Sequence, residues 1–236
     1  MTDVTDAERF RAFLTAQGLA ADDATLARHA AFLEQLLATN EVTNLTAVRD
    51  EGQAWTRHLT DSLELTPELA ALAPARVVDL GTGGGLPGIP LAIAFPKVQF
   101  LLVDAREKKI AFVAEAARAI GASNVRARAA RAELLGAVGA PDREAHDLVV
   151  SRALAPMNVL LELALPLLRV GGTLLAVKGE RWAAEVAEAT RALQVLGARV
   201  VADRRTPTGT IVSVLKERPT PPRYPRGPGE PKRKPL

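Results

Sequence analysis

Apolar residues recur at helical spacing through the first 73 positions. "DAERFRAFLTAQG" sets Phe10, Phe13 and Leu14 on one face, "DDATLARHAAFLEQLLATN" does the same with Leu26, Ala30, Leu33 and Leu37, and "DEGQAWTRHLTDSLEL" with Trp55, Leu59 and Leu63. Spacings of three and four predict amphipathic helices. The polar, Asn-rich "NEVTNLTAVRD" between the second and third predicts a loop. From residue 74 to 217 the pattern changes to short apolar runs alternating with alanine-rich stretches. Strands are expected at 76–81, 99–104, 124–129, 147–151, 172–178, 198–203 and 210–216. Helices are expected at 88–95, 106–120, 131–138, 156–169 and 181–197. Runs such as "FLLVD" and "DLVVS" are apolar at consecutive positions, so both of their faces are buried. That is the signature of a parallel sheet between helical layers, with each helix a right-handed crossover. Only "RRTPTG" joins the last two strands, too short for a helix, so one antiparallel strand is expected near the sheet edge. The expected architecture is an α/β, seven-stranded, mostly parallel sheet at 74–217, a helical extension at 1–73 and a tail at 218–236.

Charge singles out that tail. Residues 218–236 hold six basic residues against one acidic, net +5, while the other 217 hold 24 basic and 26 acidic, net −2. A polyanion, nucleic acid first, suits such a tail. The tail also holds seven of the 16 prolines, which equally suits a solvated, disordered end. Cysteine is absent, which excludes disulfides, thiolate metal sites and cysteine nucleophiles; no metal is expected. No apolar run approaches the roughly 20 residues of a membrane helix, and the N-terminus lacks a signal-peptide layout. A cytoplasmic location is the expectation.

The candidate chemistry begins at "VVDLGTGGGLPGIP", residues 77–90, where a strand ends in Asp79 and breaks into glycines. Ligands of open α/β sheets bind outside the carboxyl ends of the strands. Glycines there let backbone N–H groups approach a ligand. Pro87 and Pro90 fit the first turn of the next helix, whose N–H groups lack intrahelical partners. Gly83, Gly85 and Gly88 match the dinucleotide pattern literally, but Asp79 precedes them, and a carboxylate repels a pyrophosphate. It attracts a sulfonium or an amino group. Asp104 closes the second strand, 25 residues on, placed to accept hydrogen bonds from ribose hydroxyls. Together these describe S-adenosylmethionine as the cofactor and S-adenosylhomocysteine as the product.

"NLTAVRDE", "RHLTDSL", "DLGTGGGLPGIPLAI", "LLVDAREKKIAFV", "SRALA", "LLAVKG" and "RYPRGPGEPKRKPL" together resemble the bacterial RsmG/GidB family over nearly the whole chain. The resemblance implies a class I, Rossmann-like methyltransferase fold. It implies methylation of guanine N7 in 16S rRNA of the small (30S) subunit; a monomer with no membrane partner is expected. It implies a cofactor site of Asp79, Gly81, Thr82, Gly83, Gly85, Leu86, Asp104, Ala105, Arg131, Ala132, Glu133 and Arg152. Arg152, Lys178 and Asn44 are the expected catalytic residues. Arg57, His58, Lys108, Arg223 and Arg226 are expected on RNA, and Asp61 among the motif positions. Thr210 stands where the family pattern leads to an arginine, so one basic contact is lost or passes to Arg223 and Arg226. Few residues are aromatic (4%), so RNA recognition is expected to rest on shape and phosphates. A small-molecule methyltransferase, a non-catalytic S-adenosylmethionine-sensing RNA-binding protein and, third, an NAD dehydrogenase remain as alternatives.

Overall fold

A computed structural model describes residues 5–236. Two helices, α1 (Asp6–Ala16) and α2 (Asp23–Asn40), open the chain. Thr5 starts α1 through a capping box with Glu8, and Asp22 caps α2 through the Thr25 N–H at 2.8 Å. The third helical stretch is not one helix. Glu51–Ala54 (α3) passes into a π-helical turn at Trp55–Thr60 and then α4 (Asp61–Leu63) and α5 (Thr66–Leu72).

The sheet follows as β1 (Arg76–Leu80), α6 (Gly88–Ala94), β2 (Gln99–Asp104), α7 (Glu107–Ala119), β3 (Val125–Ala129), α8 (Ala132–Leu135), β4 (His146–Arg152), α9 (Met157–Ala164), β5 (Leu168–Lys178), α10 (Trp182–Glu188), α11 (Thr190–Leu196), β6 (Ala198–Thr206) and β7 (Gly209–Lys216). All seven expected strands are present, in the order β3-β2-β1-β4-β5-β7-β6. β1 to β5 pair in parallel, and β7 lies antiparallel between β5 and the edge strand β6. The expected helix at 181–197 is broken at Ala189, which is fully buried between α10 and α11. No proline or glycine marks that break.

Successive strand residues feed opposite cores, which is why the runs are apolar without alternation. Val77, Phe100 and Leu102 face one layer with Phe32, Leu36, Leu59, Ile89 and Leu91. Val78, Leu80 and Val103 face the other, with Leu160, Leu161, Leu174 and Val212. The N-terminal helices therefore share a core with the sheet. In α2 the buried stripe is rotated from the expected face. It runs through Leu26, His29, Phe32, Leu33, Leu36 and Asn40, so Leu26 and Leu33 are buried as expected, with Ala30 and Leu37 only half-buried.

The tail does not hang free. Lys216 is fully buried, its Nζ donating to Glu144 Oε1 (2.7 Å) and to the Leu165 and Leu168 carbonyls (2.8 and 2.7 Å). Arg143 then donates to the Thr220 and Tyr224 carbonyls, both at 2.8 Å, and the Tyr224 ring is buried. A last turn, α12 (Glu230–Arg233), packs against α9. Among the described residues no helix is long and apolar enough to cross a membrane.

Candidate functional site

The strand order reverses between β1 and β4, and the crevice at that switch point is where α/β sheets take ligands. The glycine turn forms its floor. The Gly81 and Thr82 N–H groups bond the Val103 carbonyl (2.8 and 2.9 Å), which locks the turn to β2. Gly81 has φ +80, and a Cβ there would lie 2.6 Å from the Leu154 side chain, so only glycine serves.

Asp79 holds this turn from inside. Its side chain is fully buried, and Oδ2 accepts from Thr82 Oγ1 (2.6 Å) and the Gly88 N–H (2.9 Å). A Cβ at Gly88 would lie 2.6 Å from that same oxygen. Burial lifts the carboxyl to about 6. Asp79 thus shapes the loop from inside, and its Oδ1 is buried with no partner among the described residues. Gly83, Gly85 and Leu86 follow in the same turn. The carboxylate at the ligand's side is Asp104, half-buried, which accepts from the Gly83 N–H (3.2 Å) and the Arg106 N–H (2.9 Å).

Beside Asp104 opens a cleft of ≈430 Å³. It is lined by Gly81, Asp104, Ala105, Arg131, Ala132 and Glu133, six of the expected cofactor residues. Sequence reasoning missed its other walls, Leu154 and Ala155 after β4, Val159 and Leu163 of α9, and Gly229 and Lys232 of the tail. A carboxylate, glycine backbone and an apolar helix face suit a ribose, a polar amino-acid end and a purine, so the residues present fit S-adenosylmethionine.

A second cleft, ≈360 Å³, lies at the same end of the sheet between the π-turn and the β6–β7 hairpin. Arg57, Gly179, Arg205, Thr208 and Thr210 border it. Arg205, which the sequence did not single out, sits directly across the ladder from Thr210. Arg152 ends β4, and its Nη1 donates to the Arg57 carbonyl at 3.0 Å. Burial lowers its affinity for the proton, against the opposing pull of the Asp61 and Asp79 charges. Burial raises the Asp61 carboxyl, against the opposing pull of Thr208, Arg152 and Arg57. π-turns recur at functional sites, and this one brings Arg57 and Asp61 to Arg152.

Three expected roles are corrected. His58 is 3% exposed, and its Nε2 meets Thr46 Oγ1 at 2.9 Å; it holds the 41–50 loop and does not face RNA. Burial and then the Arg152 charge lower it to about 4, so it is neutral at pH 7. Lys178 is spent inside the protein: its Nζ donates to the Ala155 carbonyl (2.6 Å) and Glu185 Oε2 (2.8 Å), while Glu185 also accepts from the Met157 N–H (3.0 Å). It fixes the loop after β4 and is not catalytic. Arg226 forks onto the buried Glu162 and is not an RNA contact. Lys108 is exposed, as an RNA contact would need, and the ammonium of its neighbour Lys109 lies over Gly83.

Two expected residues keep open positions. Asn44 is exposed in a loop seated on the glycine turn, since Leu45 packs on Gly84 and Asn40 Oδ1 accepts from the Leu45 and Thr46 N–H groups (2.8 and 2.9 Å). Asn40, a buried amide at a helix end, was also missed. Arg223 is exposed and stacks over the Tyr224 ring at 5.0 Å.

Comparisons with known proteins agree with this geometry. The profile of a family described as rRNA small subunit methyltransferase G matches residues 25–207. Ribosomal RNA small subunit methyltransferase G of Sorangium cellulosum is 42% identical over 223 residues, 94% of this chain and 92% of that protein. The protein of that name from Ligilactobacillus salivarius is 37% identical over 237 residues, 97% and 98% of the two chains. Among solved structures, an O-methyltransferase from Bacillus cereus in complex with S-adenosylhomocysteine superposes with a TM-score of 0.59 at 17% identity, covering 78% of this chain and 90% of that one. At that identity it speaks for the fold alone, the class I methyltransferase sheet. With the family profile and full-length relatives in agreement, the chain belongs to the rRNA small subunit methyltransferase G family.

Proposed function

We propose that this chain, as a monomer in the cytoplasm, methylates N7 of a guanine in the rRNA of an assembled small subunit. The family's reaction is S-adenosylmethionine-dependent methylation of small-subunit rRNA. The observation that carries the finer reading is the pairing of two clefts at one end of the sheet. One carries Asp104 and the glycine turn; the other carries Arg57 and Arg205; Arg152 stands beside the second.

The cofactor supplies an electrophilic methyl group. Held by Asp104 and the glycine turn, it would offer its methyl carbon to the guanine N7 lone pair, with the sulfur leaving with the C–S electron pair. N7 carries no proton, so no base is needed. The site agrees, because His58 is neutral and turned to Thr46. What the chain contributes is approach and alignment, which can supply roughly 7–11 kcal/mol of a barrier. The Arg152 guanidinium addresses guanine O6 and leaves N7 free. Arg57, Arg205 and Arg223 present exposed cations to phosphates. A target base reaches the second cleft only when turned out of its stack.

Transfer of labelled methyl to small-subunit particles, followed by aniline cleavage, reads N7 methylation directly. One aniline-sensitive site is expected in the particle's rRNA and far less label in a short RNA fragment. Label that survives aniline without strand scission would sink the N7 assignment. The cofactor side is tested apart from RNA. Asp104→Ala removes charge-assisted hydrogen bonds of about 1.5–3 kcal/mol, so S-adenosylhomocysteine should bind about 10- to 100-fold more weakly in calorimetry.

A further inference from the structure

We infer that the C-terminal tail is a wall of the cofactor cleft, with Lys232 a binding residue for the adenosine part of the ligand; this rests on the reading of that cleft as the S-adenosylmethionine site. Gly229 and Lys232 line the same space as Asp104 and Arg131. They are fixed there. The Gly229 N–H donates to Glu133 Oε1 at 2.7 Å, which joins the tail to the turn after β3. Gly229 has φ +78, a conformation that favours glycine.

Three residues earlier, the backbone N–H and Nε of Arg226 both donate to Glu162 Oε1 at 2.9 Å, and Nη2 reaches Oε2 at 2.5 Å. Glu162 belongs to α9, and its neighbours Val159 and Leu163 form the apolar side of the cleft. The tail is therefore bolted to the helix that forms one wall and to Glu133, another lining residue of the cleft. Pro231 is buried beneath it, and Leu236 packs against the same core as α9.

The ligand end follows from chemistry. Arg131, Ala132 and Glu133 lie beyond Asp104 on the side away from the second cleft's Arg57, so the tail borders the part of the ligand remote from the methyl group. Lys232 is exposed, and its ammonium has three donors and no acceptor. The purine edge and the ribose offer acceptors. Basic charge in the tail therefore has a second use besides phosphates.

The test uses the full chain, a chain ending at Arg226 that keeps the Glu162 fork, and Lys232→Ala. Each is titrated calorimetrically with S-adenosylhomocysteine and, separately, with small-subunit particles; melting curves confirm folding. Expected are a loss of S-adenosylhomocysteine affinity of about 5-fold for Lys232→Ala, from one hydrogen bond, and more than about 10-fold for the shortened chain. The inference is overturned if both variants bind S-adenosylhomocysteine as the full chain does, whether or not particle affinity falls. A full chain that itself ignores S-adenosylhomocysteine would overturn the cofactor reading, and this inference with it.

Discussion

Arg226→Ala is expected to cost about 3–5 kcal/mol of folding stability, because it strands a carboxylate in the interior. Glu162 is fully buried, and its two oxygens take three donors from Arg226 alone. Alanine keeps the backbone N–H and removes both guanidinium bonds, leaving a charge that water cannot reach. For a chain of this length, each kcal/mol corresponds to about 2–4 °C, so the melting temperature should fall by about 10 °C. Arg226→Lys keeps the cation but lacks the planar fork, and should fall in between. Replacing both partners by leucine should recover most of the loss, since a buried pair is often matched by apolar packing. If Arg226→Ala melts with the wild type and loses only particle binding, the residue is an RNA contact after all.

His29→Leu is expected to remove the largest single source of acid sensitivity. The imidazole is fully buried on α2, edge-on to Phe10 with centroids 5.0 Å apart, and among the described residues neither ring nitrogen has a partner. Burial, and then the Arg28 charge, lowers it to about 3. A lowered histidine means that folding favours the neutral ring. Its contribution is complete above pH 6.5 and is lost as pH falls from there towards 3. Over that window one such group accounts for about 5 kcal/mol. His58, lowered to about 4, acts in the same direction. Asp79 acts in the other: its raised carboxyl favours folding at low pH, and that contribution is lost as pH rises through about 6. Wild type should thus lose melting temperature between pH 7.5 and 4.5, and His29→Leu should lose clearly less. It should also equal or exceed wild type at pH 7.5, because two unpaired nitrogens leave the core. Equal losses in both proteins would mean that the ring titrates as if in water.

The strands were legible because a residue in a central parallel strand is apolar whichever core it faces. Val77 and Val78 needed no partner to be named before their burial was clear. The glycine turn was legible because a left-handed backbone admits few residues. Its electrostatics were not: Asp79 reads as a carboxylate for a cationic ligand until Thr82 and Gly88 are seen bonded to it. The tail's cations were read as a surface for polyanions. The partner that claims Arg226 lies 64 positions away, on a helix whose sequence shows Glu162 as one carboxylate among apolar neighbours.

Local pattern was enough for the succession of strands and helices, the glycine turn at the sheet's switch point and the family. Those follow from local rules: periodicity of burial, backbone sterics and a contiguous motif. Folding in three dimensions sorts the charged side chains into those that line the clefts and those consumed inside. Lys178 meets Glu185, His58 meets Thr46 and Arg226 meets Glu162, while Arg205 and Lys232 reach the clefts. A charge takes its role from what stands within about 4 Å of it, and chain folding brings together neighbours that no local pattern records.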